Sequence, residues 1–204
     1  MTGSGERADG VVSAGVTAGM TAGAPGIHRS CVEILRAWQP PTADQQMLRA
    51  GYLDHLAGHP DGWSRRCAGA HVTASSLICV AGSGQVLLTL HARIGRWLQT
   101  GGHIEDADAD LPTAALREAT EESGLTGLEI APVPLLLSRH EVPCGAVRPT
   151  YHLDVQFLVL ADAARPLVMG AESLDLRWFS HDRLPEADSS VRALVAAAAR
   201  RLGW

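Results

Sequence analysis

The 204-residue chain contains no lysine, and all 17 of its basic residues are arginine. The absence of lysine excludes Schiff-base enzymes, protein kinases with a catalytic lysine and phosphate-binding loops that end in Gly-Lys-Ser/Thr. Asparagine is also absent, so the chain has no acceptor for N-linked glycosylation. No apolar run in the sequence approaches the roughly 18 residues of a membrane-spanning helix, so we expect no membrane association. The net charge of −5 argues against binding to nucleic acid polymers.

Cysteine is scarce and scattered along the chain. The four cysteines form no Cys-x-x-Cys pair and no zinc-finger spacing with histidine. Cysteines this far apart do not make a disulfide scaffold, so we expect free, mostly buried thiols and a location in the reducing cytoplasm. The four residues are Cys31, Cys67, Cys79 and Cys144.

Composition and turn residues divide the chain into three parts. Residues 1–27 are rich in small and polar residues with little to bury, so we expect a disordered tail. Residues 28–66 are predicted to form a short helical cap, and residues 67–204 the main domain. Two capping-box spacings, each placing a side chain on the free amides of a first helical turn, mark the predicted helix starts. They are Ser30 with Glu33 and Thr42 with Gln45.

The main domain alternates strand patterns with helix patterns. Strands are predicted at 72–80 and 85–90, joined by the turn at 81–84. Interleaved strands and helices indicate an α/β class with a central mixed sheet. The further predicted elements are strands at 151–161 and 174–179 and helices from Pro112 to Gly124 and from Ser189 onward.

One predicted helix carries three carboxylates on one face. Glu118, Glu121 and Glu122 stand at i, i+3 and i+4, and stacked like charges repel. Mg²⁺ and Mn²⁺ prefer carboxylate oxygens, so these residues are candidate metal ligands. Arg117, one turn before Glu121, can hold a carboxylate in position through its planar fork. Taken alone, such an acidic run is more often a solvated helix face.

The same segment, with Gly101-Gly102 before it, resembles the Nudix box of the Nudix hydrolase superfamily. That pattern is G-x5-E-x7-R-E-U-x-E-E-x-G-U, where U is a bulky aliphatic residue. Gly102 matches the first glycine, and the later positions are matched by Arg117, Glu118, Glu121, Glu122, Gly124 and Leu125. The resemblance implies an α/β/α sandwich and Mg²⁺-dependent hydrolysis, with Mn²⁺ as a substitute, of a diphosphate bond in a nucleoside diphosphate linked to another moiety.

The resemblance also implies roles for individual residues. Glu118, Glu121 and Glu122 would bind the metal, with Glu118 and above all Glu121 acting in catalysis by orienting or deprotonating water. Gly101, Gly102 and Arg117 would contact the substrate. Glu172, in the loop before the last predicted strand, would add a further acid, although an exposed loop glutamate is an equal alternative.

The loop of the motif departs from the family pattern. Gly102 lies fifteen residues before Arg117, one more than the pattern allows. Asp108 stands at the offset of the expected loop glutamate, with Asp110 as another candidate. Thr100 replaces the usual proline. All of these changes fall in the loop, and the acidic helix is intact.

Several polar and aromatic residues near the motif have two interpretations. His152, Asp154 and Gln156 alternate onto one strand face, which is solvent-exposed by default and a substrate pocket in the alternative. His91 and His103 are expected to be structural or solvent-facing, because Nudix metal sites resemble all-oxygen shells. Trp97 is expected in the core or a groove, with base stacking as the alternative.

Two other functions remain open at this point. A Nudix-like nucleotide-binding or regulatory module without catalysis is the main alternative to the hydrolase. The isoprenoid diphosphate isomerase branch is disfavoured because no cysteine context matches it. The expected partner is a small nucleotide-type substrate of unspecified identity, and the apolar C-terminal helix leaves a homodimer possible.

Overall fold

A computed structural model of the chain describes residues 25–142 and 147–204. Residues 1–24 of the tail predicted over residues 1–27, and the cysteine at 144, lie outside the described residues. Cys31, Cys67 and Cys79 are buried free thiols, as predicted. No described helix combines the length and apolar character that a membrane crossing requires.

Two helices precede the sheet, α1 (Pro25–Ala37) and α2 (Ala43–Gly58). Thr42 caps α2 as predicted, since its side chain accepts a hydrogen bond from the Gln45 amide at 3.3 Å. The predicted cap at Ser30 is wrong, because Ser30 lies inside α1. The helix begins at Pro25 and buries Ile27 completely, so residues 25–27 belong to the fold and not to the tail.

Within the described residues, eight strands form one mixed sheet. The strands are β1 (Ala70–Val80), β2 (Gln85–His91), β3 (Trp97–Leu98), β4 (Thr100–His103), β5 (Glu129–Ile130), β6 (Leu136–Val142), β7 (Thr150–Ala161) and β8 (Ser173–Ser180). The long strands β1 and β7 run parallel and in register along their length, from Ala70 opposite Tyr151 to Val80 opposite Ala161. The other described pairs are antiparallel: β1 with β2 and β4, β2 with β3 and β8, and β7 with β5 and β6.

Helices cover both faces of this sheet. On one face, Val72 and Ala74 of β1 join a core with α1, α2 and the helix α3 (Leu111–Ser123). On the other face, Leu77 and Cys79 pack against α4 (Ser189–Leu202). This arrangement confirms the predicted α/β/α sandwich with an added N-terminal helical segment. The apolar face of α4 is buried against its own sheet, so that face is not available to a second chain.

The strand β7 carries His152, Asp154 and Gln156 on one face. The default expectation that this face is solvent-exposed is wrong for Asp154 and Gln156, which are buried. Asp154 is 3% exposed and Gln156 is 1% exposed. Asp154 accepts hydrogen bonds from Thr73 Oγ1 at 3.0 Å and from Ser75 Oγ at 2.7 Å on the adjacent strand. These cross-strand donors satisfy the carboxylate inside the protein.

Candidate active site

Helix α3 begins and ends close to the predicted residues. The Asp110 side chain accepts from the Thr113 amide at 2.8 Å and caps the first turn, which gives this loop aspartate a structural role. Gly124 ends the helix with φ of 67°, the left-handed conformation that favours glycine. A Cβ there would also lie 2.4 Å from Val168 Cβ. These ends fix which face of α3 meets the sheet.

The carboxylate of Glu118 lies directly against the backbone of β4. A Cβ built on Gly102 would stand 2.6 Å from Glu118 Oε1 and 2.9 Å from Oε2. Gly101 is equally constrained, because it has φ of 153° and its Cβ would overlap Ser75 Cβ at 2.2 Å. The two glycines therefore let β4 approach both the acidic helix and β1.

Arg117 binds the acidic cluster to the loop. Its Nη1 donates to Glu118 Oε1 at 3.0 Å and to Glu121 Oε2 at 3.2 Å. Its Nε and Nη2 donate to the two oxygens of Asp108, and Nη2 also donates to the His103 carbonyl, each at 3.0 Å. All five N–H donors of the guanidinium are thus engaged inside the protein. This is the carboxylate-holding role predicted for Arg117, and it leaves no donor free for a substrate.

Asp108 is the residue whose role sequence reasoning missed. The residue is only 5% exposed, and its second oxygen also accepts from the Glu105 amide at 2.8 Å. Position within the motif pointed to Asp108 only as a replacement for the loop glutamate. Thr100 is also internal, and its Oγ1 donates to the Ser76 carbonyl at 3.0 Å. The altered loop is therefore an ordered part of the site.

Burial raises the pKa of two of the three helix carboxylates, which makes them weaker acids than usual. Desolvation, then repulsion from Glu118, raises the pKa of Glu122 from 4.5 to about 8, partly offset by the Gly101 backbone. Desolvation also raises the pKa of Glu118, against the lowering effect of Arg117. Glu122 Oε2 is buried and has no hydrogen-bond partner among the described residues. A buried, unsatisfied carboxylate oxygen in an all-oxygen cluster fits a hard divalent cation such as Mg²⁺.

Glu121 and Glu172 occupy the outer side of the cluster. The side chain of Glu121 is 59% exposed, with one oxygen held by Arg117. The loop before β8 docks on the end of α3, where the Gly170 amide donates to the Glu122 carbonyl at 3.2 Å. Two residues later, the charge of Glu172 contributes to the raised pKa of Glu122. The structure thus brings the exposed Glu172 within electrostatic range of the helix carboxylates.

Two other residues near the motif have structural partners. Trp97 packs edge-on against Phe179 with ring centres 4.8 Å apart, which agrees with the expected core role. His91 Nδ1 accepts from the Arg93 amide at 3.2 Å, inside the turn after β2. Neither side chain is part of the acidic cluster.

Fold and site together define a protein with a cluster of carboxylates on a helix that packs against a glycine-containing strand of a mixed sheet. The sequence model of the NUDIX domain matches residues 70–200, and the chain belongs to this family.

Solved structures show the same fold at low sequence identity. A C. elegans Ap4A hydrolase in a binary complex matches with a TM-score of 0.53 and 17% identity, over 65% of this chain and 97% of that one. A MutT protein from Methanosarcina mazei Go1 matches with a TM-score of 0.52 and 18% identity, over 65% of this chain and 94% of that one. The NUDIX domain of Shewanella oneidensis NrtR, complexed with ADP ribose, matches with a TM-score of 0.52 and 18% identity, over 73% of this chain and 97% of that one. No curated protein matches the chain.

Proposed function

We propose that the protein is a Mg²⁺-dependent pyrophosphohydrolase that cleaves a diphosphate bond in a nucleoside diphosphate linked to another moiety, with Mn²⁺ as a substitute. The observation that carries the proposal is the buried oxygen of Glu122, which has no hydrogen-bond partner among the residues that the structure describes and lies inside a cluster of carboxylates. Membership of the NUDIX family and neighbours such as an Ap4A hydrolase and an ADP-ribose-bound domain support a nucleotide-type substrate. The buried thiols support a cytoplasmic location.

The three glutamates of the cluster differ in burial, and we assign them different roles on that basis. Glu118 and Glu122 are the more buried carboxylates and would hold the metal, together with Glu121. When bound, the ion would neutralise the diphosphate oxygens and acidify a water molecule. Glu121 is the most solvent-accessible of the three, so we assign it the orientation or deprotonation of the attacking water.

The surrounding residues position the cluster and receive the substrate. Arg117 holds Glu118 and Glu121 through separate hydrogen bonds and acts as a positioning residue. Gly101 and Gly102 would offer backbone amides to the diphosphate, because the lack of a side chain lets Gly102 lie directly against the Glu118 carboxylate. Glu172 would approach the same space from the loop before β8.

The test is turnover of a panel of nucleoside diphosphate derivatives by the full chain, measured as phosphate release after phosphatase treatment. We expect turnover of at least one compound with Mg²⁺ or Mn²⁺, none with chelator, and a loss on the order of 100-fold or more in Glu121→Gln. Glu129→Gln, on an exposed edge strand, is the matched control and should keep full activity.

Two results would overturn parts of this proposal. A folded protein that binds nucleotides but turns over none of the panel would be the inactive binding module. Full activity in Glu121→Gln would remove that residue from the role of base and leave Glu118 as the candidate.

A further inference from the structure

Three histidines from three neighbouring strands meet on one face of the sheet. His71 on β1 lies opposite His152 on β7, and His103 on β4 pairs with Thr73, two residues further along β1. The ring centres are 5.1 Å apart for His71 and His103, 4.9 Å for His71 and His152, and 5.0 Å for His103 and His152. One ring nitrogen from each residue lies within 4.8 Å of the other two.

The most buried member of this group has unsatisfied nitrogens. His71 is 1% exposed, and neither of its ring nitrogens makes a hydrogen bond of normal geometry within the described part of the chain. The Cys67 backbone interacts with His71 and raises its pKa, but this effect is smaller than that of burial. Buried polar atoms normally have partners, so an imidazole in this state points to a ligand that the protein alone does not supply.

The chemistry of the three side chains suits a transition metal. Burial is the main cause that lowers the pKa of His71 to about 4 and of His152 to about 3. Burial also lowers the pKa of His103. A neutral imidazole carries a nitrogen lone pair, which is the group that binds a transition metal. Three imidazoles with an open fourth position form a known type of Zn²⁺ shell, in which ligand nitrogens stand about 3.4 Å apart for Zn–N bonds of about 2.0–2.1 Å. Rotation of the rings would close the remaining gap.

The side chains of this group point away from the helix carboxylates, although Glu172 lies within electrostatic range of both His103 and Glu122. Successive residues of a strand point to opposite faces, so Gly102 faces Glu118 while His103 faces away from it. The two sites also differ in ligand type, because imidazole nitrogen favours Zn²⁺ and related ions and carboxylate oxygen favours Mg²⁺.

We propose that His71, His103 and His152 form a second metal site, which takes Zn²⁺ or a similar divalent transition ion with a water at the fourth position. An ion there links β4, which carries the two glycines of the acidic site, to both central strands. Because the ion binds the folded state, its binding raises the thermal midpoint of unfolding, and above the Kd this rise grows with the logarithm of the ion concentration.

Co²⁺ is the probe, because its visible absorption reports four-coordinate nitrogen ligation. Metal binding at the acidic cluster is first removed in the full chain by the triple change Glu118→Gln, Glu121→Gln and Glu122→Gln, which gives the silenced protein. We expect this protein to bind one Co²⁺ per chain with a strong visible band that Zn²⁺ abolishes by displacement. In the same background, His152→Gln and His103→Gln should each lower the affinity by on the order of 100-fold.

The matched control is His59→Gln, which changes an exposed histidine at the end of α2 and should leave the band unchanged. Circular dichroism establishes that each variant is folded, and the two ligand changes are independent, so a fold defect in one does not remove the test. Absence of the visible band in the silenced protein, or undiminished Co²⁺ affinity in both folded ligand variants, would overturn the proposal. Neither readout depends on hydrolase activity.

Discussion

Arg117 donates two parallel hydrogen bonds to the buried carboxylate of Asp108, from Nε to Oδ1 and from Nη2 to Oδ2, both 3.0 Å long. The Asp108 side chain is 4% exposed and the Arg117 side chain 21%. Hydrogen bonding to Asp108 is the main cause that raises the pKa of Arg117 above its ordinary value. This pair holds the guanidinium by Nε and Nη2, so that Nη1 is directed at Glu118 and Glu121. The position of the helix carboxylates therefore depends on a loop residue nine positions before the arginine.

Asp108→Asn should weaken both stability and hydrolysis. The amide retains one acceptor but loses the charge and the bidentate geometry that match the guanidinium. We expect a loss of about 2–3 kcal/mol in the free energy of unfolding, measured by urea denaturation. Because Arg117 would then be free to rotate away from Glu118 and Glu121, kcat should fall by at least about tenfold.

Asp106→Asn is the control for that change. Asp106 lies in the same loop as Asp108 and forms an ion pair with Arg66 at 3.1 Å, but both side chains are more than 60% exposed. Exposed pairs contribute little, so the expected change in unfolding free energy is within about 1 kcal/mol, with no change in kcat. Equal effects of the two substitutions would show that Asp108 acts merely as a loop charge.

Gly102→Ala should reduce activity more than stability. The added methyl would occupy the position of the Glu118 carboxylate, whose flexible end can swing aside at modest cost to the fold. A metal ligand displaced by an ångström or more costs on the order of 100-fold in rate. Metal titration followed by steady-state kinetics should therefore show weaker Mg²⁺ binding in a protein that still folds.

Gly51→Ala is the matched change at a glycine without this contact. Gly51 lies inside α2 with nothing within 4 Å of an added Cβ. Alanine there should raise the unfolding free energy by roughly 0.5–1 kcal/mol, the ordinary gain in a helix interior, and leave kinetics unaltered. Wild-type Mg²⁺ affinity in Gly102→Ala would contradict the close packing of β4 on Glu118.

Local signals predicted the acidic helix well because they act within a few residues. Pro112 and Gly124 bracket α3 to within one residue, and the i, i+3, i+4 spacing of the glutamates placed them on one face. The capping spacing at Ser30 failed for the opposite reason. A serine three residues before a glutamate is equally compatible with a helix interior, and the burial of Ile27 against distant elements decided where α1 begins.

Contacts between distant segments could not be predicted from local spacing. The alternation in β7 showed that Asp154 and Gln156 share a face, but their burial depends on Thr73 and Ser75, about 80 positions away in the chain. Likewise, no spacing rule joins Asp108 to Arg117 across an irregular loop. The meeting of His71, His103 and His152 arises only from the strand register.

Tyr52→Phe should show that the N-terminal helices are part of the domain and not a detachable cap. The Tyr52 hydroxyl donates to the Ser138 carbonyl at 2.8 Å from a side chain that is 1% exposed. Removing it leaves a half-buried acceptor without this donor, so we expect a loss of about 1 kcal/mol in a single cooperative urea transition. Tyr151→Phe is the control, since it keeps the ring that packs 3.7 Å from the Arg139 guanidinium. A separate early transition for residues 25–66 would contradict this account.

Glu122 should make the stability of the metal-free protein depend on pH. Its pKa is about 8 in the folded state against 4.5 as the ordinary value. Between these values the folded state retains a proton that the unfolded state releases, so the contribution of Glu122 to stability falls as pH rises from about 4.5 to 8. Burial of His71 and His152 lowers their pKa and works in the opposite direction at acidic pH. The difference between wild type and Glu122→Gln, measured by urea unfolding in chelator, isolates the glutamate.

The same proton should be displaced when Mg²⁺ binds, since the metal ligand must be the carboxylate. Calorimetric titration at pH 7 in two buffers of different ionisation enthalpy should detect the release of about one proton per ion. The affinity should rise by up to about tenfold per pH unit below pH 8. In Glu129→Gln, an exposed control, both the proton release and the pH dependence should persist. Metal binding without proton release at pH 7 would mean that Glu122 is already ionised in the folded protein or is not a ligand.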